Sequence, residues 1–290
     1  AFLCENGYNV TVYEKYEHLG GLLYHGIPEF RLDKKTLNKT IEKIINLGVE
    51  IKTNCELGVN IQLPDLEKEY DAIFLGFGAN ISRKMNIDGE TLNGVYGGNE
   101  LLEKNLHPDY KNKKVAVIGG GNVAMDTART IKKLGANEVT VIYRRSEKEM
   151  PAEVHEIEEA KNEKIEFLFQ TNPVKIIGEN KVEKIECVKM ELKQKENETR
   201  LSPVEIPNSN FTIDLDYVVM AVGSKPESNI LEKLNLELTD RGHIKIDKNN
   251  QTSNSKIFAG GDLAGAKGTV AWASRSGRNA AYSIMNFLQK

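Results

Sequence analysis

The residues best suited to do chemistry in this chain form a glycine turn after a short apolar stretch. Residues 115–118 (Val-Ala-Val-Ile) predict a buried strand, and Gly119, Gly121 and Ala124 follow with the spacing G-x-G-x-x-A. In a dinucleotide-binding unit the first glycine permits a sharp turn and the second lets the backbone approach a pyrophosphate. The small residue at the third position lets the next helix pack closely on the strand.

The residues after this turn complete the pattern of a βαβ unit. Asn122 and Val123 open a helical pattern, whose first N–H groups would face the phosphates of a bound nucleotide. Gly135 ends the helix, and residues 139–143 predict a second apolar strand. The alternative is an ordinary structural turn, but a strand, a glycine turn, a helix and a second strand in this order indicate a dinucleotide site.

Two arginines after the second strand indicate which nucleotide is bound. A unit that binds NAD usually places Asp or Glu there, to bind the ribose 2′-hydroxyl, whereas this chain has Arg144 and Arg145. A guanidinium can bind a 2′-phosphate through paired hydrogen bonds, so the sequence predicts NADP(H). The alternative is that both arginines only solvate a loop and are neutralised by Glu147 and Glu149.

The start of the chain predicts the second half of another unit of this kind. A helix ends at Gly7, and residues 9–14 predict a strand that ends in Glu14, at the position of a ribose-binding carboxylate. The matching glycine turn would lie roughly 20 residues upstream, before residue 1. Since the sequence also lacks an initiator Met, we expect a fragment without the first strand and glycine loop of this unit.

Three separated motifs closely resemble a known family. The first lies within residues 20–34 and contains Gly-Gly-Leu-Leu, Gly-Ile-Pro and Arg-Leu-Asp-Lys. The second lies within residues 119–152 and contains Gly-Gly-Gly-Asn-Val-Ala-Met-Asp, Tyr-Arg-Arg and Met-Pro-Ala. The third is Ala-Gly-Gly-Asp at residues 259–262. Over essentially its whole length the chain resembles the small (beta) subunit of bacterial glutamate synthase. It equally resembles NADPH:ferredoxin-linked flavoprotein subunits and the flavin half of dihydropyrimidine dehydrogenase. The resemblance implies that the first unit binds FAD and the second binds NADP(H).

Further contacts to these cofactors follow from the resemblance and from position. Arg31 resembles the family position near the flavin or its phosphates, although it could instead be a surface residue paired with Glu29 or Asp33. Asp262 is a candidate hydrogen-bond partner of the flavin ribityl chain, and the helix that begins at Thr269 would direct its N-terminal dipole at the flavin. The predicted FAD contacts are Glu14, Gly21, Leu22, Arg31, Gly78, Gly261, Asp262, Thr269 and Val270, and the predicted NADP contacts are Gly119, Gly121, Asn122, Val123, Arg144, Arg145 and Gly223.

Composition narrows the classes of function. A net charge of −3 over 290 residues gives no basic field for nucleic acid, and no apolar run or signal peptide indicates a membrane, so a cytoplasmic protein is expected. The cysteines Cys4, Cys55 and Cys187 have neither C-x-x-C nor metal-ligand spacing, so no metal site is predicted. Iron–sulfur clusters are expected only in the missing N-terminal part or in a partner.

The order of elements predicts an α/β fold of two Rossmann-like dinucleotide-binding domains, with the NADP domain inserted into the FAD domain. The predicted divisions are 1–97 for the first part of the FAD domain, 98–220 for the NADP(H) domain and 221–290 for the second part of the FAD domain. Within the NADP domain, the charged helix at 153–164 is expected to be a solvated face. Residues 181–192 and 198–206 are expected to form a hairpin or small sheet.

The predicted function is that of an NADPH-dependent FAD oxidoreductase subunit in a hetero-oligomer. Hydride transfer between nicotinamide and flavin needs no catalytic side chain, since the cofactors carry the reaction. Transfer of electrons onward to an iron–sulfur or large-subunit partner is implied by the resemblance alone. The alternatives are a stand-alone NAD(P)H flavoprotein dehydrogenase and a nucleotide-binding scaffold subunit without turnover.

Overall fold

The chain divides into two compact units in this computed structural model, which describes residues 1–194 and 201–289. The first unit comprises Ala1–Asn80 and Lys225–Lys290, and the second comprises Ile81–Ser224. A unit made from the two ends of the chain, with a continuous unit inserted between them, is the organisation that the order of sequence motifs indicated.

The helices and strands alternate along most of the chain. In chain order the helices are α1 (Phe2–Glu5), α2 (Leu22–His25), α3 (Lys34–Ile45), α4 (Leu63–Glu69), α5 (Gly98–Lys104), α6 (Asn122–Lys133), α7 (Val154–Asn162), α8 (Ser228–Leu234) and α9 (Val270–Leu288). The strands are β1 (Thr11–Tyr13), β2 (Glu50–Lys52), β3 (Ile73–Leu75), β4 (Ile81–Ser82), β5 (Val95–Gly97), β6 (Lys114–Ile118), β7 (Glu138–Tyr143), β8 (Glu166–Phe169), β9 (Thr171–Ile177), β10 (Lys184–Lys193), β11 (Ser202–Glu205), β12 (Phe211–Asp214), β13 (Tyr217–Met220), β14 (Ser224–Lys225) and β15 (Ile257–Ala259).

The first unit contains two pairs of short parallel strands. Strand β1 pairs with β2, with Thr11 opposite Glu50, and β3 pairs with β15, with Ile73 opposite Ile257. Helices α4 and α8 cover the second pair, because their leucines pack with its inward-facing side chains in one core cluster. The members of that cluster are Leu63, Leu66, Ile73, Leu75, Leu231, Leu234, Ile244, Ile257, Ala259 and Leu263.

The second unit is built on a five-stranded parallel sheet with the order β5-β13-β6-β7-β8. Helix α6 packs on this sheet because Ala124, Ala128 and Ile131 recur on one helical face, and all three are fully buried. The strands β6 and β7 read as continuous apolar runs in the sequence because a parallel sheet is covered on both faces.

The strands of an antiparallel sheet, β9 to β12, lie in the chain between β8 and β13 of the parallel sheet. Strand β10 pairs with β9, β11 and β12, so the segments expected to form a hairpin or small sheet do so as β10 and β11. Residues 198–200 of the predicted segment lie outside the described residues.

The second unit begins earlier in the chain than the predicted division at residues 97 and 98. Strand β5 pairs in parallel with β13, with Val95 opposite Val218, and therefore belongs to the second sheet. The unit also extends to Ser224, beyond the predicted end at residue 220. The sequence placed β5 with the first unit because three residues with no glycine motif carry no sign of their partner strand.

The expectation that helix α7 is a solvated face is wrong for one of its sides. Glu156 is 8% exposed and forms an ion pair with Arg129 of α6, which is 5% exposed. Arg129 also lies 3.0 Å from the Glu163 carboxylate, which in turn lies 2.7 Å from the Lys133 ammonium. Charged residues can be buried here because each carboxylate meets a cation from the neighbouring helix.

None of the helices within residues 1–194 and 201–289 has the length and apolar character needed to cross a membrane.

Candidate dinucleotide-binding sites

The turn after β6 has the backbone geometry that the glycine spacing predicted. Gly119 has φ +142°, a conformation that side chains other than glycine's rarely adopt, and its N–H donates to the Ile142 carbonyl at 3.0 Å. A Cβ on Gly119 would also collide with the carbonyl oxygen of Ala221. Gly119 is therefore required by the fold itself.

Gly121 is open on the side where a Cβ would stand. A Cβ there would meet only Cγ of Pro151, at 3.9 Å, and φ is −96°, so the backbone does not itself require glycine. Helix α6 starts here, since the N–H groups of Ala124 and Met125 are the first to donate back to the Gly121 carbonyl. The N–H groups of Asn122 and Val123 precede those bonds, as required of an anion-binding helix N-terminus.

The segment 150–153 lies against this turn, a feature that the sequence analysis did not find. The Ala152 N–H donates to the Gly120 carbonyl at 3.1 Å, and the Glu153 N–H donates to Oδ1 of Asn122 at 3.0 Å. The Asn122 side chain therefore joins the turn to the start of α7, while its backbone opens α6. The Met-Pro-Ala motif was the available signal, but its role depends on contacts that only the folded chain shows.

The two arginines after β7 differ in their surroundings. Arg144 is exposed, whereas the Nε of Arg145 donates to the Leu201 carbonyl at 3.2 Å. Glu147 lies 2.5 Å from Lys161, and Glu149 accepts the Ser146 N–H at 3.2 Å. Glu147 thus pairs with a cation other than the two arginines, whereas Glu149 accepts a hydrogen bond from an uncharged N–H.

Gly223 lies at the same edge of the sheet as the glycine turn. It follows β13, has φ +116°, and accepts the Arg83 N–H at 2.8 Å. Because β6, β7 and β13 are parallel neighbours, the residues that follow them meet at one edge. The predicted NADP contacts Gly119, Gly121, Asn122, Val123, Arg144, Arg145 and Gly223 are therefore brought to one edge of one sheet.

Glu14 directly follows β1 in the first unit. Its N–H donates to the Lys52 carbonyl at 2.9 Å, and Oε1 accepts the Tyr16 N–H at 3.0 Å. Gly21 has φ +50° with nothing within 4 Å of a Cβ position, and Leu22 after it is 39% exposed. These three predicted FAD contacts thus lie in the segment from the end of β1 to the start of α2.

Arg31 lies in a turn that leads into α3. Its N–H donates to the Pro28 carbonyl at 3.0 Å, and its side chain is partly exposed. The side chain of Asp33 caps α3 by accepting the Thr36 N–H at 3.0 Å, and the Thr36 hydroxyl and N–H lower the pKa of Asp33. Asp33 thus has a capping role, which the sequence analysis did not assign to it.

Asp262 carries a buried oxygen that lacks a hydrogen-bond partner. It follows β15 and Gly261, and among the described residues nothing donates to its Oδ1. Burial raises the pKa of Asp262 above its ordinary value. This oxygen is one of six buried side-chain oxygens of the described residues without a hydrogen-bond partner, and it is able to accept a hydrogen bond.

The backbone next to Asp262 is held by α9. The Gly261 N–H donates to the Ser276 hydroxyl at 3.0 Å, and Gly261 has φ +63°. Gly78, after the neighbouring strand β3, has φ +78°. Two glycines thus follow the paired strands β3 and β15, which places Gly78, Gly261 and Asp262 at one edge.

The start of α9 is capped and exposed. The Thr269 hydroxyl accepts the Trp272 N–H at 3.4 Å, and Val270 is 52% exposed. Trp272 is 40% exposed, and the cationic groups of Lys267 and Arg275 lie 5.3 Å and 5.1 Å from the centre of its ring. The helix N-terminus therefore has free surface where the FAD prediction places a ligand.

The cysteines have no redox or metal-binding arrangement. All three are free, and burial raises the pKa of Cys187 to about 12. Across the described ranges no three His, Cys, Asp or Glu side chains are grouped so as to hold a metal ion.

The chain is similar to proteins of known name in sequence and in fold. The family model of pyridine nucleotide-disulphide oxidoreductases matches residues 2–280. The small chain of glutamate synthase [NADPH] from Escherichia coli is 35% identical over 99% of this chain and 65% of its own length. The beta subunit of NADP(+)-dependent formate dehydrogenase from Moorella thermoacetica is 38% identical over 99% of this chain and 42% of its own length. The structure of Mycobacterium tuberculosis FprA in complex with NADPH superimposes with a TM-score of 0.86, at 19% identity, over 97% of this chain and 78% of that one.

These comparisons confirm the predicted fold class, which is that of two-nucleotide oxidoreductases with Rossmann-like sheets. The chain belongs to the pyridine nucleotide-disulphide oxidoreductase family, and the resemblance to glutamate synthase small chains is confirmed. The chain spans 65% of the length of the glutamate synthase small chain and 42% of the length of the formate dehydrogenase beta subunit.

Proposed function

We propose that this chain is the FAD- and NADP(H)-binding part of an oxidoreductase subunit that transfers hydride between NADP(H) and FAD. Electrons then pass to an iron–sulfur or large-subunit protein. The second unit, Ile81–Ser224, would bind NADP(H), and the first would bind FAD.

The edge of the parallel sheet in the second unit carries this proposal. It combines an open glycine at Gly121, the unpaired start of α6, and the two arginines after β7. Such an edge binds a pyrophosphate through backbone N–H groups and a 2′-phosphate through guanidinium groups. An aspartate or glutamate in place of the arginines would favour the 2′-hydroxyl of NAD(H).

The first unit fits FAD by a separate observation. The unsatisfied Oδ1 of Asp262 is an acceptor for a hydroxyl of the flavin ribityl chain, and the exposed N-terminus of α9 suits an anionic edge of the ring system. Glu14 offers a carboxylate after β1 for the ribose of the adenosine half. FAD, when bound, would accept hydride as a pair of electrons and release the electrons one at a time.

The proposed partner is supported by the names of the relatives. These are a small chain of glutamate synthase, a beta subunit of formate dehydrogenase and, at 36% identity, a beta subunit of an NADPH-Fe(3+) oxidoreductase from Geobacter sulfurreducens. Each name denotes one subunit of a larger assembly, and their electron acceptors differ. We therefore propose a protein partner for this chain and leave the final acceptor unspecified.

Flavin reduction by NADPH tests the proposal. We expect the full-length protein to carry FAD, and the visible absorbance of the flavin should bleach on anaerobic addition of NADPH. Gly121→Val should abolish the bleaching and leave the flavin content unchanged, because Gly121 and the proposed flavin contacts belong to different units. Gly277→Ala is a matched control, since a Cβ there meets nothing within 4 Å. Bleaching by NADPH in the Gly121→Val protein would refute the assignment.

A further inference from the structure

Arg145 is held in place at two points, and Arg144 is not. The Nε of Arg145 donates to the Leu201 carbonyl at 3.2 Å, and its backbone carbonyl accepts the Gln170 N–H at 3.0 Å. Arg144 is exposed and makes no hydrogen bond or ion pair with the described residues. The two arginines are adjacent in the sequence, but within residues 1–194 and 201–289 only Arg145 has a side-chain hydrogen bond.

The anchors of Arg145 belong to one continuous set of backbone hydrogen bonds. The Gln170 carbonyl accepts the Met190 N–H at 2.8 Å, which fixes β10 relative to Arg145. Met190 lies opposite Glu205 of β11, and Leu201 immediately precedes β11. Gln170 and Leu201, which immediately precede β9 and β11 of the antiparallel sheet, therefore contact the backbone and the side chain of Arg145.

We propose that Arg145, positioned by β10 and β11, is the principal determinant of 2′-phosphate recognition, and that this antiparallel sheet is part of the nucleotide-specificity site. A guanidinium has five N–H donors, so the bond from Nε to Leu201 leaves both Nη groups for two phosphate oxygens. A side chain already fixed loses less conformational freedom on binding than a free one. Arg144 contributes mainly general electrostatic attraction.

This inference rests on the proposed binding of NADP(H), and its test uses small nucleotides that need no turnover. We would measure binding of 2′,5′-ADP and of 5′-AMP to the full chain by isothermal titration calorimetry, since the two differ by the 2′-phosphate. Arg145→Gln should weaken 2′,5′-ADP about tenfold or more, which is the size of a lost charged hydrogen bond. Arg144→Gln should weaken it about threefold or less, and neither change should alter binding of 5′-AMP.

Lysine substitutions separate position from charge. Arg145→Lys keeps the charge and removes both the Nε bond and the planar pair of Nη groups, so it should weaken 2′,5′-ADP nearly as much as Arg145→Gln. Arg144→Lys keeps the charge and should weaken binding of 2′,5′-ADP less than Arg145→Lys does. If Arg145 had only a structural role, its substitutions would weaken binding of 5′-AMP as much as binding of 2′,5′-ADP.

A backbone substitution tests the role of β11 without touching either arginine. The Ile206 N–H donates to the Lys189 carbonyl at 2.9 Å, so Val204 and Glu191 form the next hydrogen-bonded pair of the ladder. Strand β11 is an edge strand, and Val204→Pro removes the backbone N–H of residue 204 from the ladder. Val204→Ala shortens the side chain and keeps this N–H. Val204→Pro should weaken 2′,5′-ADP about threefold or more by loosening the anchor, and Val204→Ala should not.

The outcomes distinguish this inference from the proposed function. Equal losses at Arg144 and Arg145, or a larger loss at Arg144, would overturn the inference and leave NADP(H) binding intact. Unchanged binding of 2′,5′-ADP in Val204→Pro, with its melting temperature preserved, would overturn the role of β11. If no substitution at either arginine changed binding of 2′,5′-ADP, the assignment of NADP(H) itself would fail.

Discussion

Two glycines separated by one residue are needed for different reasons. Gly119 is required by the backbone, because of its φ of +142° and its contact with Ala221, whereas a side chain at Gly121 would enter free space. The spacing in the sequence predicts this difference, with the first glycine for the turn and the second for the pyrophosphate, but it does not predict the contact that excludes a side chain at Gly119. That contact is with the carbonyl of Ala221, which is distant in sequence and adjacent in space.

Alanine substitutions at these glycines should therefore give opposite results. Gly119→Ala should destabilise the protein by about 1–3 kcal/mol or more, because it forces a strained backbone conformation and a collision. Gly121→Ala should leave the melting temperature unchanged and weaken NADP+ binding, because its Cβ would occupy the space proposed for the pyrophosphate. Thermal unfolding and calorimetric binding measure the two effects, and a stable Gly119→Ala protein would show that the turn tolerates a side chain.

The Asp262 carboxyl gives a prediction about pH. Burial raises its pKa in the folded protein above the unfolded value, so the folded state binds the proton more tightly. Stability should therefore fall as pH rises from the unfolded pKa of 3.8 through the raised folded pKa, and stay lower above it. Asp262→Asn removes the buried charge, so flavin-free protein should gain melting temperature at pH 7 relative to the unsubstituted chain, and gain less at pH 4.

Asp262→Asn should also weaken retention of the flavin. A gain in melting temperature together with a loss of flavin distinguishes this effect from a general stabilisation of the protein. The flavin-free protein is the proper sample, because a ribityl hydroxyl would satisfy the Asp262 oxygen. An equal gain at pH 4 and pH 7 would contradict the assignment of the pH effect to Asp262.

Elements with a strong apolar pattern could be predicted from the sequence, and their partners could not. The strands β6 and β7 and the helices α6 and α9 lie close to the segments that the sequence indicated. Strand β5 was assigned to the wrong side of the division because its pairing with β13 is non-local. The buried side of α7 was missed because its glutamates are indistinguishable from solvated ones until Arg129 of α6 is placed opposite them.

The ion pairs between α6 and α7 should be sensitive to which charge is removed. Arg129→Met leaves the buried Glu156 and partly buried Glu163 without their shared cation, so it should destabilise the protein by about 3–5 kcal/mol. Lys133→Met removes an exposed cation from the same cluster and should cost less than about 1 kcal/mol. Thermal unfolding of both variants checks this, and equal losses would mean that burial does not set the energetics of the cluster.

Low pH should weaken the same cluster of ion pairs by protonating Glu163. Burial alone would raise the pKa of this carboxyl, but hydrogen bonds from Arg129 and Lys133 hold it below the ordinary value of 4.5. Its contribution to stability is therefore present above pH 4.5 and is lost as pH falls through the lowered folded pKa. Glu163→Gln should reduce the loss of melting temperature in that range, and an unchanged acid profile would show that other carboxyls dominate it.

At the scale of the whole molecule, the sequence predicted two nucleotide-binding units, the second from its glycine turn and strands and the first from the strand that ends in Glu14 and from the family resemblance. It could not fix where the chain passes from one unit to the other, because such crossings depend on which sheet a short strand joins. The observed crossings follow Asn80 and Ser224, so the second unit is a single continuous segment with its own core. A continuous segment with its own core is expected to fold independently.

This expectation can be tested by comparing two excised fragments. Residues 81–224 contain the complete parallel sheet, including β5, whereas residues 98–220, the division first predicted from sequence, lack the strand that pairs with β13. Loss of β5 exposes the backbone groups of β13 and the apolar side chains of Val218 and Val219, which are fully buried in the intact unit. We expect fragment 81–224 to unfold cooperatively and to bind 2′,5′-ADP with an affinity within about threefold of the full chain, since the proposed contacts lie inside it. Fragment 98–220 should aggregate or unfold at a much lower temperature.

Equal stability of the two fragments would show that β5 contributes little to the second unit. Loss of 2′,5′-ADP binding by fragment 81–224 would show that its nucleotide site needs residues of the first unit.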